Sequence, residues 1–193
     1  MLEIFGRSES SNLQAVMWWV AKTRLEHVRY DISHRFDGTD TDAFIIMNPN
    51  QTVPVLRDGE ELVIWESDAI LRYLAKKYGD GRFWPKGPHF RANVDRWAEW
   101  SQVFVAINFI VPIFWAVVCT PKAQQSSEEI AKAVKLLEAR LSIADDQLAK
   151  HSYLAEYVFT LADTQLGQML YRYYDIENNQ ADLQNLSDYY EWF

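Results

Sequence analysis

The stretch from Asn48 to Ser67, NPNQTVPVLRDGEELVIWES, constrains the fold of this 193-residue chain more than any other part of it. Two short apolar runs, Val53 to Leu56 and Leu62 to Trp65, flank an Asp58-Gly59 turn, the strongest short-range signal for a β-hairpin. Pro54 leads into the first strand. Its missing N–H restricts it to an edge or a special turn, such as one built on a cis Val53-Pro54 bond. A cis bond there turns the Val53 backbone groups outward, free to pair with an extended peptide. Directly after the second strand come Glu66-Ser67-Asp68, then Ile70, Leu71 and Leu74 at helical spacing, and Lys76-Lys77 at a helix end where cations suit the dipole. A helix therefore starts at the Glu-Ser pair, and its free N–H groups with the Ser67 hydroxyl make a site for a carboxylate. A plain helix start is the simpler reading of the pair, but the Val-Pro hairpin before it supplies the context that favours binding.

Upstream, Leu2 to Phe5 reads as a strand, Leu13 to Val20 as a helix started by the capping types Ser10, Ser11 and Asn12, and Val28 to Ile32 as a second strand. A short helix has room before the hairpin. The predicted order is βαβ followed by ββα, a thioredoxin-like domain with a right-handed crossover. Gly79-Asp80-Gly81 and Pro85-Lys86-Gly87-Pro88 form a turn-rich linker. We expect domains at residues 1–79 and 88–193, the second all-helical with runs near 89–119, 126–149, 161–174 and from 183. Pro112 should kink the first of these. Thr160 to Asp163 has the form of a capping box with Phe159 placed for a hydrophobic staple, which we read as helix nucleation.

The apolar run Val103 to Cys119 falls short of the about 20 residues a membrane span needs and carries Asn108 and Pro112 in its middle. It is expected to be a core helix covered on every side, or one that also lines a cleft, with Cys119 as a buried small hydrophobe. A net charge of −8 with scattered Lys and Arg excludes a phosphate-backbone partner. One cysteine excludes an internal disulfide and a CxxC pair, and no export signal precedes Leu2; both point to a reducing cytoplasm. His27, His34, His89 and His151 show no metal-ligand spacing, so no metal is expected.

Val53-Pro54 and Glu66-Ser67, with NVDRWAEW at 93–100 and FTLAD at 159–163 following in order, resemble the cytosolic glutathione transferases, and the likeness runs over nearly the whole chain. The resemblance implies that the Val53 backbone pairs with the cysteinyl part of glutathione. It implies that Glu66 and Ser67 hold the γ-glutamyl amine and carboxylate, with Pro54 shaping the loop and Gln51 and Thr52 reaching the glycyl carboxylate. Relatives often place a His or Lys after the second strand for that end; His34, Arg35 and Thr39 are the nearest residues, and none matches. A free thiol is only a few per cent ionised at neutral pH, so an activating enzyme must favour the thiolate. Relatives use a Tyr, Ser or Cys at the start of the first helix. Ser10 takes that place here, with Ser11 a rival by one position and Asn12 where some bacterial members, of theta, beta or nu type, carry an amide. All three also serve simply as helix caps.

The likeness further implies a hydrophobic-substrate pocket on the long helix, at Phe104, Asn108, Phe109, Pro112 and Trp115, for which a plain core role is an equal alternative. It implies a homodimer with glutathione as co-substrate. Two departures stand out: Glu156 and Tyr157 occupy the place of a usual Gly-Asp, and the chain stops at the aromatic Tyr189 to Phe193 where relatives continue. Three functions fit these residues: conjugation of glutathione to small apolar electrophiles, glutathione-dependent disulfide or peroxide reduction, and non-catalytic binding on the same fold.

Overall fold

The computed structural model describes residues 1–60, 62–176 and 181–191. They fall into two compact units, Met1–Gly81 and Arg82–Phe193.

The first unit is a four-stranded mixed sheet with three helices. Strands β1 (Leu2–Phe5), β2 (His27–Tyr30), β3 (Val55–Asp58) and β4 (Leu62–Trp65) lie in the order β2-β1-β3-β4. β1 runs parallel to β2 and antiparallel to β3, and β3 pairs antiparallel with β4 as far as Asp58↔Leu62, so Asp58 ends the strand and the turn begins at Gly59, one residue later than the expected Asp58-Gly59 pair. Gly59, at φ 70°, supplies the left-handed residue such a turn requires. Helix α1 (Ser11–Thr23) makes the crossover from β1 to β2, α2 (Asp42–Met47) follows a 3₁₀ turn at His34–Phe36, and α3 (Ser67–Tyr78) closes the unit. The thioredoxin-like order expected from the sequence is the one observed.

Period-two alternation sorts the core. Phe5 faces its ladder partner Val55, and both pack with Phe44 of α2 on one side of the sheet. Ile4 faces Leu56 on the other side, whose fully buried companions are Leu13, Val16 and Val20 of α1 and Ile70, Leu71 and Leu74 of α3.

The second unit is helical. A long helix, Pro88–Cys119, is followed by helices at Ser127–Leu148, Leu161–Asp175 and Gln184–Tyr190. One expectation is overturned here. The apolar run is not covered on every side: the long helix is long and apolar enough to cross a membrane by length and composition, yet only 22% of that apolar stretch is buried. The more deeply buried helix is instead the more polar Leu161–Asp175, with Leu161 to Leu170 buried without a break and Tyr171 exposed beyond them. Its position among the other helices, rather than its hydropathy, decides its burial. Gln165 Oε1 accepts from Gln102 Nε2 at 2.8 Å and from Gln168 Nε2 at 2.6 Å, while the buried Gln168 Oε1 has no partner among the described residues.

Pro112 lies within a stretch where the helix departs from α geometry. The helix widens to π-type bonding over Ser101–Ala106 and again over Ile110–Cys119, which absorbs the hydrogen bond the proline cannot make. The Thr160 capping box forms, and it does more than nucleate. Asp163, fully buried, accepts from Thr160 N at 2.7 Å, Thr160 Oγ1 at 2.9 Å, Leu154 N at 3.0 Å and Tyr189 OH at 2.7 Å. Burial pushes its carboxyl up while these four donors pull it down, and burial prevails. Phe159 lies against the rings of Phe83 and Tyr153. The Tyr153–Glu156 bridge and the φ of 97° at Glu156 shape the turn where the usual Gly-Asp is missing. Of the aromatic end, Trp192 and Phe193 lie outside the described residues.

Candidate functional site

Gly6 determines how closely the first helix approaches the hairpin. Its N–H donates to Tyr30 O at 2.9 Å and its carbonyl accepts from Arg29 Nη1 at 2.9 Å. A Cβ at this position would stand 3.3 Å from Val53 Cβ and 3.3 Å from Leu13 Cδ2. The bare glycine therefore lets the start of α1 and the residue before Pro54 meet across it. Ser10 closes the turn that follows: its N–H donates to Arg7 O at 3.1 Å, and its hydroxyl caps α1 by accepting from Leu13 N at 3.4 Å. Ser10 is buried, whereas Ser11 and Asn12, the first two helical residues, are half-buried.

Before Pro54 the chain is organised by Asn48, a residue the sequence reading missed. Its buried carboxamide donates to Thr52 O at 2.9 Å and Thr52 Oγ1 at 3.2 Å, and accepts from Asn50 N and Asn50 Nδ2, each at 3.0 Å. The available signal was Asn48-Pro49-Asn50, a turn sequence in which Asn bonds its own backbone two residues on. Thr52 thus has its hydroxyl engaged, and Gln51, exposed with φ 56°, bonds through its N–H to Asn48 O at 3.0 Å. The Val53-Pro54 bond is cis. Among the described residues the N–H and carbonyl of Val53 have no hydrogen-bond partner.

At the other end of the hairpin, Glu66 takes φ 73° and ψ 119° and α3 begins at Ser67. The first helical bond runs from Ile70 N to Glu66 O at 3.0 Å, which leaves the earlier N–H groups directed out of the helix end. Ser67 is 5% exposed, and its hydroxyl has no hydrogen-bond partner among the described residues; the exposed Glu66 carboxylate has none either. Free strand-edge groups, a helix N-terminus with a hydroxyl, and an unpaired acid thus occur within fifteen residues of chain. They can receive an extended ligand that carries a carboxylate and an amine.

Asp58 locks this hairpin to the helix. Its carboxylate Oδ2 accepts from Lys77 Nζ at 2.6 Å, Tyr73 OH at 2.7 Å and Tyr78 OH at 2.7 Å, all from α3. Burial alone would raise the carboxyl, but these donors outweigh it and bring it down to about 2. Lys77 is held above its usual range chiefly by the same bond. The sequence showed Asp58 only as a turn former and Lys77 only as a dipole partner.

In the second unit the residues expected on one broad face do not share one environment. Phe109 is core, 1% exposed, and packs on Phe114 and Tyr173. Phe104, Pro112 and Trp115 are exposed, and half-buried Asn108 donates back to Phe104 O at 2.8 Å. Cys119 is exposed, not buried as expected, because the open face of the helix reaches its last turn.

Comparison with known proteins places this geometry among relatives. Residues 10–77 match the family model described as the glutathione S-transferase N-terminal domain. Over 193 residues the chain is 31% identical to glutathione S-transferase GstB of Escherichia coli, covering 99% of this chain and 92% of that one. Over 126 residues it is 32% identical to the disulfide-bond oxidoreductase YghU of the same organism, covering 62% of this chain and 41% of that one. Among solved structures, a theta class glutathione S-transferase from Xanthomonas axonopodis pv. citri with glutathione bound is 35% identical, with a TM-score of 0.93 over 99% of this chain and 91% of that one.

Proposed function

The chain belongs to the glutathione S-transferase family, and on that footing we propose that it joins the sulfur of glutathione to small apolar electrophiles. The thiolate displaces a leaving group, forming the C–S bond as the electron pair departs with that group; the enzyme contributes a lowered thiol pKa and a fixed approach. The observation that carries the reading is the cradle between Val53 and Ser67, where unpaired backbone groups and a buried residue with an unengaged hydroxyl suit an extended peptide ending in a carboxylate.

In this reading Val53 and Pro54 hold the cysteinyl part, Glu66 the γ-glutamyl amine and Ser67 its carboxylate, while Gln51 and Thr52 lie toward the glycyl end. Ser10 is the proposed thiolate donor, with Ser11 and Asn12 as the alternatives that mutation separates. Residues 1–79 are the proposed glutathione-binding domain, and 88–193 the helical domain whose Phe104, Asn108, Pro112 and Trp115 meet the electrophile. The protein works as a cytoplasmic homodimer in the same reading. Reduction of mixed disulfides by glutathione is the second reading, favoured by the similarity to an oxidoreductase.

Calorimetric titration with glutathione tests the cradle. Ser67→Ala removes a hydrogen bond to a charged group and should weaken binding by roughly 1.5 to 3 kcal/mol; unchanged affinity would sink the assignment. Parallel assays with an aryl halide and a glutathione mixed disulfide separate the two chemistries, and inactivity in both with intact binding leaves a binding protein.

A further inference from the structure

Three residues of the turn from Gly6 to Ser10 are clasped to β2 and the segment after it. Gly6 bonds to Tyr30 and Arg29, Arg7 Nη1 donates to Ser33 Oγ at 3.1 Å, and Glu9 pairs with Arg35. The neighbouring guanidinium groups are each committed to an acid: Arg29 to Asp31, Arg35 to Glu9 and Arg57 to Glu3. Arg7 differs. Its hydrogen bond is to the neutral hydroxyl of Ser33, and among the described residues it has no ion pair. Arg7 also forms the turn itself, since its carbonyl accepts the Ser10 N–H. A half-buried cation that shares the Glu9 carboxylate electrostatically with Arg35 is thus tethered at the start of α1 in a chain of net charge −8.

We propose that Arg7 is a positioning residue for the glutathione thiolate, a guanidinium held by Ser33 at the Ser10 turn so that its charge favours ionised sulfur. The inference rests on the glutathione reading above. An anion forming at the Ser10 turn meets the Arg7 charge and the positive end of α1 together, and a fixed cation costs no reorganisation when the proton leaves. The tether matters because a free arginine at the surface would spend its charge on solvent. The other charged groups on the surrounding elements are Glu9 with Arg35, Asp31 with Arg29, His34, and Glu66 and Asp68 at α3. They are identical in every variant compared below.

The test is the pH titration of thiolate absorbance for glutathione bound to the full-length protein, with the ligand-free protein subtracted. Arg7→Gln should raise the bound thiol pKa by about half a unit, the size expected of one partly screened charge. That amounts to an approximately threefold loss of thiolate below the pKa, matched by a threefold fall in kcat near neutral pH with the glutathione KM unchanged. The shift should shrink at high salt. Arg7→Lys should restore most of the pKa, and Lys76→Gln, a charge removed at the far end of α3, should leave it unmoved. A normal wild-type thiolate that Arg7→Gln leaves in place overturns the role of Arg7 alone. If Arg7→Lys shifts as far as Arg7→Gln, geometry and not charge is responsible and the proposal also falls. Absence of any bound thiolate in the wild type overturns the glutathione reading together with it.

Discussion

Replacing Asp58 by Asn should cost most of the stability that the hairpin draws from α3, and the cost should depend on pH in one direction. The Asp58 side chain is 8% exposed, and its carboxyl lies at about 2 against an ordinary 3.8. Because the folded value lies below the unfolded one, the stabilisation is present above pH 4 and is lost as pH falls toward 2. The gap corresponds to about 2.4 kcal/mol at 1.36 kcal/mol per pKa unit. Linkage leaves about half of it at pH 3. Asn keeps one oxygen for Lys77, Tyr73 and Tyr78 to share but carries no charge, so Asp58→Asn should be less stable by about 2 kcal/mol at pH 7 and by about half of that at pH 3. Urea unfolding of both proteins between pH 7 and pH 3, at one protein concentration, gives the difference, and amide exchange in β3, β4 and α3 assigns it to the first unit. A deficit as large at pH 3 as at pH 7, or none at pH 7, refutes the reasoning.

Ser10→Ala should raise the pKa of the bound thiol by roughly one to two units, from loss of one charge-assisted bond of about 1.5 to 3 kcal/mol, with the rate deficit shrinking as pH rises; a larger effect from Ser11→Ala or Asn12→Ala in the same titration transfers the role. Gly79→Ala would place a Cβ 2.4 Å from the Ala75 carbonyl oxygen, which is backbone and cannot swing away, so a loss of roughly 1 to 3 kcal/mol is expected in thermal melts. Asp163→Asn turns an amide donor either toward Leu154 N and Tyr189 OH or toward Thr160 N and Thr160 Oγ1, and should cost roughly 2 to 4 kcal/mol in urea unfolding. A cost below about 1 kcal/mol would mean that the buried carboxylate is not the knot described.

The first unit was legible because its signals are local. The hairpin turn at Gly59, the proline ahead of β3 and the Glu66-Ser67 helix start each act within a few residues; the hairpin and the helix start appear as expected, with the first strand shifted two residues on to Val55–Asp58. The second unit was legible in element order but not in burial. Hydropathy ranked the Val103 to Cys119 run as the enclosed helix, whereas the deeper burial went to Leu161–Asp175, because burial depends on which helix the others surround. Asn48 and the Asp58 cluster escaped for a related reason. Their partners Thr52, Tyr73, Lys77 and Tyr78 are set by the folded path, and a polar side chain in a turn sequence looks the same whether it faces water or, as Asp58 does, three donors.

The open position of Cys119 bears on how any alkylating compound behaves with this protein. The chain has a single sulfhydryl, and it stands at the surface at the end of the long helix. An electrophile reactive enough to accept glutathione will therefore also find a protein nucleophile, and slow covalent self-labelling will resemble time-dependent inhibition in a progress curve. Running each compound against Cys119→Ser separates adduct formation from turnover. The same solitary thiol takes one dye or spin label per chain, giving a defined reporter on the helical unit.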